Sequence, residues 1–101
     1  MNIPDDDFIR ELLPEFVDDW VRELNEKYDL YISEKNGTDM YRLAHTLKGS
    51  CYQFGLNDLG DLGIKLMAVC KDNDWNTVQK MGVDLKKSFA EIQVFIQNNP
   101  M

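Results

Sequence analysis

Apolar residues recur every three or four positions along most of this chain, which is the spacing of one face of an α-helix. Such stripes run through residues 17–31, 43–54, 59–70 and 78–96. No window shows the sustained alternation of a β-strand, and the β-branched residues are thinly spread. The pattern therefore predicts an all-α protein.

Prolines, glycines and capping residues set the predicted helix bounds. Pro14 is predicted to separate a short N-terminal helix, residues 5–13, from a second helix, residues 14–35, because proline suits the first position of a helix. Three further helices are predicted over residues 38–54, 57–71 and 75–98, with Thr38 and either Asn57 or Asp58 as caps.

The loops predicted between these helices are short, and short loops favour antiparallel neighbours. We therefore expect a single domain, residues 1–101, folded as an antiparallel up-down-up-down four-helix bundle with a short extra N-terminal helix. A chain of 101 residues is long enough to bury a core of this kind.

The charge balance narrows the range of partners. The formal net charge is −7, which disfavours binding to nucleic acids and to anionic membrane surfaces. No apolar run approaches the length of a membrane span, and the first eight residues, MNIPDDDF, are acidic, unlike the start of a signal peptide. We expect a cytoplasmic protein that is a monomer and binds neither nucleic acid nor membrane.

Residues 44–55, AHTLKGSCYQFG, contain the only histidine of the chain. On a helix, His45 shares one face with Tyr41, Lys48, Gly49 and Tyr52, and an apolar stripe lies on the opposite face. The imidazole is therefore expected to stand in water. An imidazole exposed to water is mostly neutral near neutral pH, so one ring nitrogen offers a lone pair to an incoming group.

The same region lacks acidic residues. None of the 18 acidic residues lies between Asp39 and Asp58, although an even distribution would put roughly three there. The interval carries Arg42, His45 and Lys48 instead. A neutral-to-basic segment in an acidic protein favours contact with an anion.

Three glycines call for different explanations. Glycine inside a helix is less stable than alanine by about 0.5–1 kcal/mol, so each needs a reason. For Gly49, on the polar face, we favour clearance beside the imidazole, with close helix packing as the alternative. For Gly60 and Gly63, nearer the apolar face, we favour close packing.

The string H-T-L-K-G-S, followed by an aromatic-rich turn and Gly55, resembles the signature of histidine-containing phosphotransfer (HPt) domains. Length, helix order and the position of the motif in the third long helix also match the family. The chain departs from the family pattern at Leu56, at Gly60, where alanine is common, and at Met67, where a glutamate is expected. These positions bear on helix packing and on the choice of partner.

The resemblance implies a function in a two-component phosphorelay. His45 would accept a phosphoryl group from the aspartyl phosphate of a receiver domain in a hybrid sensor kinase and pass it to the receiver domain of a response regulator. Lys48 would stabilise the phosphoryl group, and Gly49 would leave access to it. Such a phosphocarrier has no kinase activity of its own and needs no cofactor or metal.

Other residues near His45 are candidates for partner contact: Tyr41, Arg42, Tyr52 and Gln53. Each tyrosine is as well explained by half-burial at a helix seam, and a solvated amide is the simpler interpretation of Gln53. Gln53 is also a candidate donor to the phosphoryl group.

Alternative chemistries find little support. Residues 72–76 resemble the start of an EF-hand loop, but Thr77 and Val83 stand where the loop needs a glycine and a glutamate, and there is no glycine-rich phosphate loop. Ser50 has no suitably placed base and acid with which to form a hydrolytic triad. Cys51 and Cys70 are expected to be buried thiols. The remaining alternative is a helical adaptor that binds a receiver domain or kinase without being phosphorylated.

Overall fold

A computed structural model describes residues 3–100. Its regular structure is entirely helical, as predicted, and consists of α1 (Asp7–Glu23), a π-helical turn (Leu24–Tyr28), α2 (Asp29–Glu34), α3 (Gly37–Gln53), α4 (Asn57–Lys71) and α5 (Trp75–Asn98). The predicted domain, residues 1–101, also includes residues 1, 2 and 101, which lie outside the described residues.

The N-terminal part of the chain differs from the prediction, because no break occurs at Pro14. This residue lies inside α1 and is exposed, and α1, the π-helical turn and α2 follow one another directly. Leu13, Val17 and Trp20 are buried in helical register on both sides of the proline. Burial of these side chains outweighs the roughly 3 kcal/mol that an interior proline costs a helix. Within residues 3–100, the bundle thus has four helical arms and no separate N-terminal helix, and its first arm consists of α1, the π-helical turn and α2.

This explanation predicts that Pro14→Ala stabilises the protein. Alanine restores a backbone donor to the middle of α1, and the gain is partly offset because the unfolded chain becomes more flexible. We expect the free energy of unfolding in urea to rise by about 2 kcal/mol. The exposed neighbour Glu15 provides the control, since Glu15→Ala should shift it by less than about 0.5 kcal/mol. A less stable Pro14→Ala protein would contradict the explanation.

Each of the three loops reverses the chain within two or three residues. Each contains one residue in the left-handed region, with φ of 51° at Lys35, 72° at Gly55 and 55° at Asn73. At the end of α3 the N–H of Leu56 donates to the carbonyl of Cys51 at 2.8 Å, which closes a Schellman motif. Loops this short force consecutive helices to run antiparallel.

The caps of α3 and α4 differ from those predicted. The side chain of Asn36, not that of Thr38, accepts a hydrogen bond from the backbone N–H of Asp39, at 3.1 Å, because Thr38 already lies inside α3. Leu56 precedes α4 and forms no side-chain cap, so Asn57 and Asp58 lie within the first turn. The Leu56 side chain is buried.

Long-range contacts confirm the antiparallel order. Along the first arm, Trp20 stacks on Phe89 of α5 with ring centroids 6.1 Å apart, and Asp29 pairs with Lys86 at 2.9 Å. One turn before Trp20, Phe16 stacks on Phe54, which follows the last residue of α3, with ring centroids 3.9 Å apart.

The π-helical turn adjusts the first arm to α5. It places Tyr28 in the core, where its hydroxyl donates to the carbonyl of Val78 at 2.5 Å. The ring occupies the space that a side chain at Gly82 would need. The turn therefore keeps the buried stripe of the first arm facing the bundle beyond Leu24, an adjustment typical of π-helical insertions.

Candidate functional site

Helix α3 presents His45 to solvent. Its opposite face is anchored by five buried residues, Met40, Leu43, Ala44, Leu47 and Cys51. This stripe fixes the rotation of the helix, and His45 lies on the exposed side, as predicted. Because α3 packs against α2 and α4, the imidazole faces outward between the first arm and α4.

Gly49 lies one turn beyond His45 and is exposed. A Cβ atom added there would meet no atom within 4 Å outside its own helix backbone. Close helix packing therefore does not account for this glycine. The surface beside His45 is bare backbone with open space above it.

Lys48 is half-buried on the side of α3 that faces α4. Among the ion pairs formed by residues 3–100, none includes this lysine. Its ammonium group is thus not neutralised by a neighbouring carboxylate. Being one turn from His45 on the same helix, it is suited to contact an anion carried by the imidazole.

Tyr52 borders the face on the α4 side. Its ring covers Gly60, and its hydroxyl donates to Oδ1 of Asp61 at 2.5 Å. This hydrogen bond to a carboxylate raises the pKa of Tyr52, so the hydroxyl remains a donor. The side chain is held across the seam between α3 and α4, yet 36% of it stays exposed.

Tyr41 occupies a similar seam at the other end of α3. It is half-buried, and Nζ of Lys71 lies 5.5 Å from its ring centroid. Lys71 thus adds a cation from α4 to the basic side chains of α3. Each tyrosine is thus packed at a seam between α3 and α4, and part of its surface stays accessible.

A groove of about 470 Å³ runs between α1 and α3 on the other side of His45. We call it the α1–α3 groove, and ten residues line it: Phe16, Asp19, Trp20, Glu23, Tyr31, Asp39, Arg42, Leu43, Thr46 and Ser50. The sequence did not reveal this feature, because its two walls are far apart in the chain. The separate amphipathic stripes were its only signal.

Two further predicted contact residues, Arg42 and Gln53, are accessible. Arg42 pairs with Asp39 at 3.7 Å, and 77% of its side chain is exposed, so the pair contributes little to stability. Gln53 is exposed at the last position of α3.

The cysteines offer no nucleophile. Both are buried free thiols, and burial raises the pKa of Cys51 to about 12 and that of Cys70 to about 11. Across residues 3–100, no three His, Cys, Asp or Glu side chains are grouped so that they could hold a metal ion. In the same part of the chain, no helix has the length and apolar character needed to cross a membrane.

The structure thus defines a helical bundle that carries one solvent-facing histidine beside a free lysine and a bare glycine. The family model of the Hpt domain matches residues 9–94, nearly the whole chain, and the protein belongs to this family. Hpt domains serve histidine phosphotransfer in phosphorelays, where they interact with receiver domains and kinases and act as phosphocarriers without kinase activity of their own. Neither the curated proteins nor the solved structures yielded a significant match.

Proposed function

We propose that His45 carries a phosphoryl group between two receiver domains, one in a hybrid sensor kinase and one in a response regulator. The observation that carries this proposal is the exposure of His45, the only histidine in the chain, within the region that matches the Hpt family. A partner's active site can approach this imidazole from solvent without any change in the bundle.

The transfer needs only one nucleophilic atom from this protein. The lone pair of a ring nitrogen of His45 forms the N–P bond as the P–O bond to the partner's aspartate breaks, and the electron pair of that bond leaves with the carboxylate. The proton on the other ring nitrogen stays in place. The second transfer reverses these changes, with an aspartate of the second receiver domain as the nucleophile.

Lys48 and Gly49 support this step in different ways. The unpaired ammonium of Lys48 donates charge-assisted hydrogen bonds to the phosphoryl oxygens, which stabilises the added negative charge. Gly49 leaves room for the active-site loop of the receiver domain beside the imidazole. Tyr41, Arg42, Tyr52 and Gln53 form the surrounding contact surface, and the α1–α3 groove adds apolar area next to it.

Phosphoryl acceptance can be measured directly. A receiver domain is labelled with a radioactive small-molecule phosphodonor, freed of excess donor and mixed with this protein. We expect label to appear on the protein and to be labile in acid and stable in base, which distinguishes a phosphohistidine from a phosphoserine. Complex formation without label would contradict the proposal and favour the adaptor function.

Lys48→Ala should slow the transfer without preventing receiver binding. The lysine contacts the phosphoryl group in this proposal, and a charge-assisted hydrogen bond contributes roughly 1.5–3 kcal/mol, so the rate should fall about 10-fold or more. Lys65 on α4 is exposed and supplies the control, since Lys65→Ala changes the net charge equally. Label transfer at the wild-type rate, at low and high salt alike, would exclude this role for Lys48.

A further inference from the structure

Helix α4 lies very close to the backbone of α3 at Lys48. A Cβ atom added to Gly63 would lie 2.8 Å from the backbone nitrogen of Lys48 and 2.9 Å from its Cα atom. Real Cβ atoms are almost never found at such distances from backbone, and backbone cannot move aside as a side chain can. Gly63 is fully packed, and the approach depends on its missing side chain.

The other helical glycines have different surroundings. At Gly60 and Gly82 the space is taken by tyrosine rings, those of Tyr52 and Tyr28. At Gly37 an added Cβ atom would make only an ordinary contact with a side chain, and at Gly49 the space is open. Gly63 is therefore the helical glycine that touches the backbone of a proposed functional residue.

We propose that Gly63 is a positioning residue for the phosphoryl transfer and acts through Lys48. By letting α4 lie directly on α3, it fixes the backbone of Lys48 and encloses the first part of its side chain, which leaves the residue half-buried. The ammonium group then extends from a fixed base on the face that carries His45. This inference rests on the function proposed above.

The physical advantage lies in side-chain entropy. A free surface lysine loses conformational freedom when it is immobilised at a contact. A lysine whose stem is already held loses less, and misplacement of a contacting group lowers transfer rates steeply. An exposed lysine at the same helix position would be a weaker ligand for the phosphoryl group.

A double-mutant cycle tests the proposal. The rate of label uptake from a phosphorylated receiver domain is measured for the wild type, Gly63→Ala, Lys48→Ala and the double variant. We expect Gly63→Ala to slow uptake about 10-fold when Lys48 is present and less than about twofold when it is absent. Equal slowing in both backgrounds, or no slowing in either, would overturn the proposal.

Loss of stability alone must be separated from this effect. Gly82→Ala is the matched control, because it forces a methyl group against Tyr28 at a buried site on α5, away from α3. It should lower the melting temperature without changing the uptake rate at temperatures where the protein is folded. If Gly82→Ala slows uptake as much as Gly63→Ala does, the slowing reflects general destabilisation and the proposal fails.

A second measurement needs no variant at Gly63 and covers the case in which Gly63→Ala does not fold. Side-chain order is measured by NMR relaxation on the wild-type protein, for the methylene groups of Lys48 and of the exposed Lys65. We expect clearly higher order at the β- and γ-methylenes of Lys48. Equal order would overturn the positioning role even if the wild type takes label, whereas a wild type that takes no label would overturn the proposed function itself.

Discussion

Replacing His45 with glutamine is expected to abolish phosphoryl acceptance and leave the fold intact. Glutamine has no ring nitrogen with a nucleophilic lone pair, and the chain has no other histidine to replace it. The position is exposed, so the change should shift the free energy of unfolding by less than about 0.5 kcal/mol. Acid-labile label and the helical circular-dichroism signal should be recorded on the same samples.

The control for this variant comes from the opposite side of the bundle. Lys87 is exposed on α5, and Lys87→Gln introduces the same amide without touching α3. It should accept label at the wild-type rate. Acid-labile label on His45→Gln would rule out His45 as the acceptor, and a large loss of helical signal would show that this histidine has a structural role.

The fold was predictable where local signals and burial agree. The loops around residue 36, Gly55 and residue 73 were correctly located, because polar or glycine residues interrupt the apolar spacing there. Pro14 was interpreted wrongly because its local preference opposes the helix, whereas the burial of Leu13 and Val17, which prevails, depends on helices far away in the sequence. The π-helical turn has no local signal, since its benefit is the contact between Tyr28 and α5.

The features of the candidate site were likewise predictable only where they depend on local sequence. Exposure of His45 and Gly49 follows from helical periodicity within α3 alone, so the sequence was sufficient. Three other features depend on how neighbouring helices meet: the contact of Gly63 with Lys48, the hydrogen bond from Tyr52 to Asp61, and the α1–α3 groove. Periodicity shows which face of a helix is buried but not which residue of a neighbouring helix it meets. The sequence could therefore predict packing at Gly63 without identifying its contact.

Gly49→Gln should separate stability from transfer. Glutamine favours a helix over glycine, and the added side chain meets open space, so the free energy of unfolding should rise by up to about 1 kcal/mol. The same side chain occupies the approach to His45, so transfer from and to receiver domains should be blocked. Thermal unfolding and label transfer, measured on one preparation, give both quantities.

Gly49→Ala completes this experiment as a variant of intermediate size. Its methyl group should stabilise α3 about as much as glutamine does, because the gain comes from the backbone, but it should obstruct a receiver domain far less. If Gly49 is needed for access to His45, the transfer rate should fall as the side chain at this position becomes larger, while the stability of the protein rises. If Gly49→Gln is instead less stable than the wild type, or transfers label at the wild-type rate, the clearance beside His45 has no part in the function.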